Sequence, residues 1–77
     1  MNKIQFLGEL ERLLELNPRT INGDEKLAEI DSWDSLAVLG FIALVDQKFN
    51  IVIAPEKINQ AVTIDDLLLL LGKHIMS

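Results

Sequence analysis

The chain has 77 residues, 12 of them acidic and 7 basic, for a net charge of −5, with no cysteine and 49% hydrophobic residues. One domain spanning residues 1–77 is the expectation, near the lower size limit for an unstapled core, and the apolar content excludes wholesale disorder. The missing cysteines exclude disulfides, thiolate metal sites and a cysteine nucleophile; the few scattered Lys and Arg argue against nucleic acid or an anionic membrane surface and favour a basic protein partner.

Met1-Asn2-Lys3-Ile4-Gln5 carries no apolar signal core. The longest apolar stretch, Leu36 to Val45, is too short for a bilayer span of about 20 residues. A soluble, cytoplasmic monomer is expected.

Residues 3–16 have helical periodicity, with Phe6, Leu10, Leu13 and Leu14 on one side and Glu9, Glu11, Arg12 and Glu15 largely on the other. Asn17-Pro18 is the expected end, because a residue before proline avoids the helical region. Residues 17–34 then read as a long connection with an acidic segment, Asp24, Glu25, Glu29, Asp31 and Asp34. Connections of this length are often functional. Ile21, Leu27, Ile30 and Trp33 are expected to hold it to the core.

A second helix is expected over about Ser35 to Phe49, with Asp34 as N-cap and Asn50 closing it. Ile51-Val52-Ile53 is an extended link, Pro55 opens a short third helix, and Thr63-Ile64-Asp65-Asp66 forms a capping box for a last helix through about Gly72. The class is all-α, a small bundle. The five leucines from Leu67 to Leu71 are mostly core, with one or two facing outward.

Leu36 to Val45 carries no charge, so only side-chain size orients the second helix. Size puts Val38, Ile42, Val45 and Phe49 inward and Leu36, Ala37, Gly40, Ala43 and Gln47 outward. Gly40 costs about 1 kcal/mol against alanine in a helix interior. Two readings explain it: close packing within the domain, or close approach by another protein.

Ser35 lies in the first turn of this helix. A catalytic serine needs a general base within hydrogen-bond reach, and the single histidine, His74, reads as a solvated tail residue. Asp31 and Asp34 without His, Cys or an EF-hand loop are weak grounds for a metal site; no catalytic and no metal-ligating residue is assigned. A covalent anchor fits better. A phosphodiester on Ser35 would face the unpaired N–H groups and positive dipole end of a helix. Asp34 opposes that charge, yet can cap the helix and help an enzyme orient the hydroxyl. Ser32 reads as a loop polar residue.

Asp34-Ser35-Leu36 matches the attachment motif of acyl and peptidyl carrier proteins, and the chain resembles that family over nearly its whole length. The likeness includes the amphipathic first helix, the long loop, Phe49 near the end of the second helix, Ile51 to Glu56 leading into a short third helix, and Thr63 to Leu67 opening the last. It implies a four-helix bundle of acyl-carrier type with a short third helix and a long loop between helices one and two. It also implies that a phosphopantetheinyl transferase places 4′-phosphopantetheine from coenzyme A on Ser35, with Asp34 beside it. Acyl or aminoacyl groups, carried as thioesters on the arm's thiol, would come from a loading ligase and go to synthase or transferase enzymes, as in fatty acid or polyketide biosynthesis. Leu36, Ala37, Gly40, Ala43 and Gln47 would form the docking face. Ile42, Val45, Phe49, Ile58 and Leu67 would line an acyl shelter, although core packing explains them equally well.

Two departures from the family bear on partners. Fatty-acid-type carriers place carboxylates along the exposed side of helix two, where this chain has Ala37 and Gly40, and Asp46 is the only acid in the helix. Trp33 precedes the motif, a form similar to stand-alone carriers of specialised pathways; its plain reading is loop-to-core packing. The rival function is a helical interaction module of the same shape that is never modified.

Overall fold

The computed structural model describes residues 1–75. Four α-helices follow one another: α1 (Lys3–Leu13), α2 (Ser35–Phe49), α3 (Pro55–Asn59) and α4 (Ile64–Leu69). Short 3₁₀ turns lie at Leu27–Glu29 in the α1–α2 loop and at Gly72–His74 after α4. This is the all-helical, acyl-carrier-type arrangement expected.

α1 starts at a capping box that the sequence reading lacked. Gln5 N–H donates to Asn2 Oδ1 at 2.8 Å, and Asn2 N–H donates to Gln5 Oε1 at 3.1 Å. The helix ends at Leu13, earlier than the Asn17-Pro18 stop. Glu15 takes a left-handed φ of 57°; Leu16 N–H then reaches the Glu11 carbonyl at 2.8 Å, and Glu15 N–H the Arg12 carbonyl at 3.2 Å. That pair of bonds is a Schellman closure, which glycine usually supplies.

Glu11 departs from the expected polar side. It is 6% exposed, and its Oε2 accepts from Thr20 N–H at 2.8 Å and Ile21 N–H at 3.2 Å. A carboxylate inside the bundle thereby supplies acceptors to a loop backbone that has no helix or sheet to pair with. Burial pushes its pKa up, but the N–H donors of Ile21, Arg19 and Thr20 together outweigh that and hold it below the usual value.

Farther along, the loop is laced to the α3–α4 junction. Leu27 N–H donates to the Val62 carbonyl at 2.8 Å, Ile64 N–H to that of Glu25 at 3.1 Å and Asp65 N–H to that of Gly23 at 2.7 Å. Gly23 has φ 122°, and a Cβ there would collide with the Asp65 carboxylate. Glu25 accepts from the Asn22 and Gly23 N–H groups. Asp66 accepts from Val62 and Thr63 N–H while Thr63 Oγ1 accepts from Asp66 N–H, which is the expected capping box.

The core is aromatic at its centre. Phe6 meets Phe41 edge-on at 6.1 Å, Trp33 meets Phe41 edge-on at 6.2 Å, and Phe49 lies 5.8 Å from Phe6. Leu10, Val45, Ile58, Ile64, Leu67 and Leu71 close around them. Ile21 and Leu27 are buried, and Ile30 and Trp33 pack against the same cluster, so the loop is held as expected. α4 stops at Leu69, short of Gly72, and the chain turns into the 3₁₀ segment with Gly72 at φ 55°. Leu67, Leu68 and Leu71 are buried while Leu69 is 77% exposed.

Candidate functional site

The start of α2 is built by its cap. Asp34 is extended, and its Oδ1 accepts from Ala37 N–H at 2.9 Å. Val38 N–H bonds the Asp34 carbonyl at 3.0 Å. Helix geometry leaves the N–H groups of Ser35 and Leu36 without intrahelical acceptors. Ser35 itself is exposed, at the positive end of a helix of 15 residues. At the other end, Asn50 closes the helix at φ 57°.

The inward face of α2 centres on Ala37, Phe41 and Val45, not on the Val38–Ile42–Val45–Phe49 stripe expected from size. Val38, Ile42 and Phe49 are half-buried and flank the core on one side. The rotation is roughly 70°, less than one residue step of a 3.6-residue turn. Its cause is Phe41, which the size ranking left out and which fills the space between Phe6 and Trp33.

Two residues expected on the outward face are corrected by this rotation. Ala37 is 7% exposed. Gly40 is half-buried, and a Cβ on it would come within 2.5 Å of Leu13 Cδ1, so α1 itself lies against that position. Leu36, Ala43 and Gln47 are exposed as expected. Leu39, missed in the sequence, is 61% exposed. Its place one turn after Ser35 and two turns before Asp46 was the available signal.

The five residues assigned to an acyl shelter do come together. Val45, Ile58 and Leu67 are buried at 1% exposure or less, and Ile42 and Phe49 pack on the same cluster. His74 is not a solvated tail: it is half-buried and lies against Phe49 in a tilted arrangement with ring centroids 5.5 Å apart. Phe49 lies about 20 Å along α2 from Ser35 at 1.5 Å per residue, so that imidazole serves the far end of the bundle.

In the chain leading to Ser35, Asp24, Glu29, Asp31 and Asp34 are all exposed. Trp33 turns inward onto Phe41. Ser32 is half-buried, and its Oγ is shielded from water without a hydrogen-bond partner. No helix among the described residues is long and apolar enough to cross a membrane.

The family described as the phosphopantetheine attachment site matches residues 5–71, from within α1 through the loop to beyond the end of α4. The chain belongs to this carrier protein family. Neither the curated proteins nor the solved structures compared with the chain include a match. Membership makes it a non-catalytic carrier of covalently bound 4′-phosphopantetheine, loaded by phosphopantetheinyl transferases and serving partner enzymes. The residues present fit that group: an exposed hydroxyl stands at a capped helix N-terminus whose first N–H groups point toward an incoming phosphate.

Proposed function

We propose that Ser35 is the attachment residue and that the chain is a stand-alone cytoplasmic carrier, monomeric in solution, serving a specialised biosynthetic pathway. The single observation that carries this is an exposed Ser35 opening α2 inside the matched carrier frame. In the attachment, the Ser35 hydroxyl gives its proton to the transferase and forms the new phosphorus–oxygen bond as 3′,5′-ADP leaves coenzyme A. Asp34 holds the helix start in place through Ala37 N–H, and the N–H groups of Ser35 and Leu36 offset the diester's charge. When bound, the group supplies a terminal thiol on which acyl or aminoacyl units travel as thioesters between a loading ligase and downstream synthase or transferase enzymes.

Partner enzymes meet the outward face of α2, where Leu36, Leu39, Ala43 and Gln47 are exposed. That face is apolar in the first turns of α2, at Leu36, Leu39 and Ala43; Gln47 and exposed Asp46 follow farther along, and Glu29, Asp31 and Asp34 precede it. Contact is therefore apolar at the centre and acidic at the rim, a pattern suited to a partner with basic residues around a hydrophobic hollow. Ile42, Val45, Phe49, Ile58 and Leu67 admit an acyl chain only if their packing parts.

The test is the mass of the protein after incubation with coenzyme A, Mg²⁺ and a broad-specificity transferase. Gain of one phosphopantetheine, lost in Ser35→Ala, supports the reading. An unmodified wild-type chain, or modification that survives Ser35→Ala, ends it.

A further inference from the structure

A groove of about 500 Å³ lies between the end of α1 and the first turns of α2. Asp34 and Leu36, the neighbours of Ser35 on both sides, line it together with Leu13, Leu14, Glu15, Ser32, Leu39 and Gly40. Leu14, Glu15 and Ser32 also line an adjacent hollow of about 520 Å³ shared with the loop residues Glu29, Ile30 and Asp31. Gly40 lets α1 approach α2 closely beside this groove, since a side chain there would meet Leu13.

Ser32 stands apart from the other polar groups of this trough, the Glu15 and Asp34 carboxylates, both on exposed residues. Its Oγ is shielded from solvent and has no hydrogen-bond partner in the protein, and a buried hydroxyl left unpaired is destabilising. The residue nonetheless lines the groove and is half-exposed. Rotation of χ1 to another staggered well is therefore the short route by which this hydroxyl meets a polar group lying there.

We propose that this groove receives the pantetheine arm tethered at Ser35, with the Ser32 hydroxyl bonded to one of the arm's amides. The inference rests on the Ser35 attachment reading. The occupant is chosen by chemistry and by tether. Pantetheine alternates methyl-bearing and methylene segments with two amides, which suits leucine walls flanked by the Ser32 hydroxyl and the Glu15 and Asp34 carboxylates, acceptors for amide N–H groups. Attachment between two groove-lining residues raises the arm's effective concentration there, so one hydrogen bond and modest apolar contact suffice. The groove lies on the α1 flank of α2, away from the flank formed by Val38, Ile42 and Ile58. Docked there, the thiol is partly shielded between encounters with enzymes.

The experiment compares apo and holo protein, with mass spectrometry of the Ser35 peptide and NMR of uniformly labelled chain. Expected are nuclear Overhauser contacts from the arm's methyl groups to Leu13, Leu14 and Leu39. Ser32→Ala should keep the fold, weaken those contacts and speed reaction of the arm's thiol with a soluble aromatic disulfide roughly three- to tenfold, the worth of one hydrogen bond. Leu39→Ser, at an exposed position, should weaken the contacts without disturbing the interior. Contacts to Val38, Ile42 or Ile58 instead, or none, overturn the groove while attachment at Ser35 stands. Unchanged contacts and thiol reactivity in Ser32→Ala overturn the role of the hydroxyl. If Ser35 takes no arm, the attachment reading and this proposal fall together.

Discussion

Two stretches of the molecule spend their carboxylates differently. At the α1–loop and α3–α4 junctions, Glu11, Glu25 and Asp66 each accept backbone N–H groups and replace secondary structure where the chain has none. In the approach to α2, Asp24, Glu29 and Asp31 are exposed, and the first turn of α2 follows them. The first set holds the loop in shape; the second gives the shaped loop its charge. A net charge of −5 therefore says little about recognition until the acids bound to the backbone are set apart from those facing solvent.

The sharpest way to break this division is Glu11→Ala. It removes the acceptor for Thr20 and Ile21 N–H, the latter buried, and should cost about 2–3 kcal/mol. Urea unfolding at pH 7 measures it. Glu11→Gln keeps an acceptor oxygen and should lose less. A cost under about 0.5 kcal/mol for Glu11→Ala would place Glu11 with the surface acids.

Acid tests all three carboxylates at once. Glu11, Glu25 and Asp66 have pKa values lowered in the fold. For Glu11 and Glu25 burial acts upward but is outweighed by backbone donors, while for Asp66 the Val62 and Thr63 N–H groups dominate. A lowered folded pKa gives stability that is present above the unfolded value, about 4.3 for Glu and 3.9 for Asp. That stability is lost as pH falls through the folded values. The urea midpoint should thus hold steady from neutral pH to about 5 and fall below it, less steeply in Glu11→Gln.

The closure of α1 gives a smaller effect of opposite sign. Glu15 sits at φ 57° without the freedom of glycine. Glu15→Gly should stabilise by about 1 kcal/mol, read as a raised thermal midpoint. A loss would mean that the Glu15 side chain contributes more than its backbone costs.

These residues also mark where the sequence was legible. Asp34, Asn50, Pro55 and the Thr63–Asp66 box act through neighbours within four positions, so local rules find them. Asn2–Gln5 obeys the same rule and could have been found. The Schellman closure could not, since Glu at a left-handed position carries no compositional signal. Glu11 was misplaced because amphipathic periodicity sends every charge outward, whereas its partners lie nine and ten residues ahead. The candidate site divides in the same way. Exposure of Ser35 followed from the helix start, but an uncharged helix gave no bearing for Ala37 and Gly40, whose burial depends on Phe41 and on Leu13 from another helix.

The smallest structural effect belongs to the exposed acids, and there the comparison becomes functional. Glu29→Gln with Asp31→Asn removes two charges on exposed side chains. Stability at pH 7 should move by less than about 0.5 kcal/mol. Modification by a transferase should nevertheless need several-fold more carrier to reach half its maximal rate, because rim charges act on encounter more than on the docked state. The gap between variant and wild type should narrow as salt rises toward molar, where the screening length shrinks to about 3 Å. A salt-independent gap would point to a contact made in the docked complex, and the loop acids would then be part of the recognition surface itself rather than its steering field.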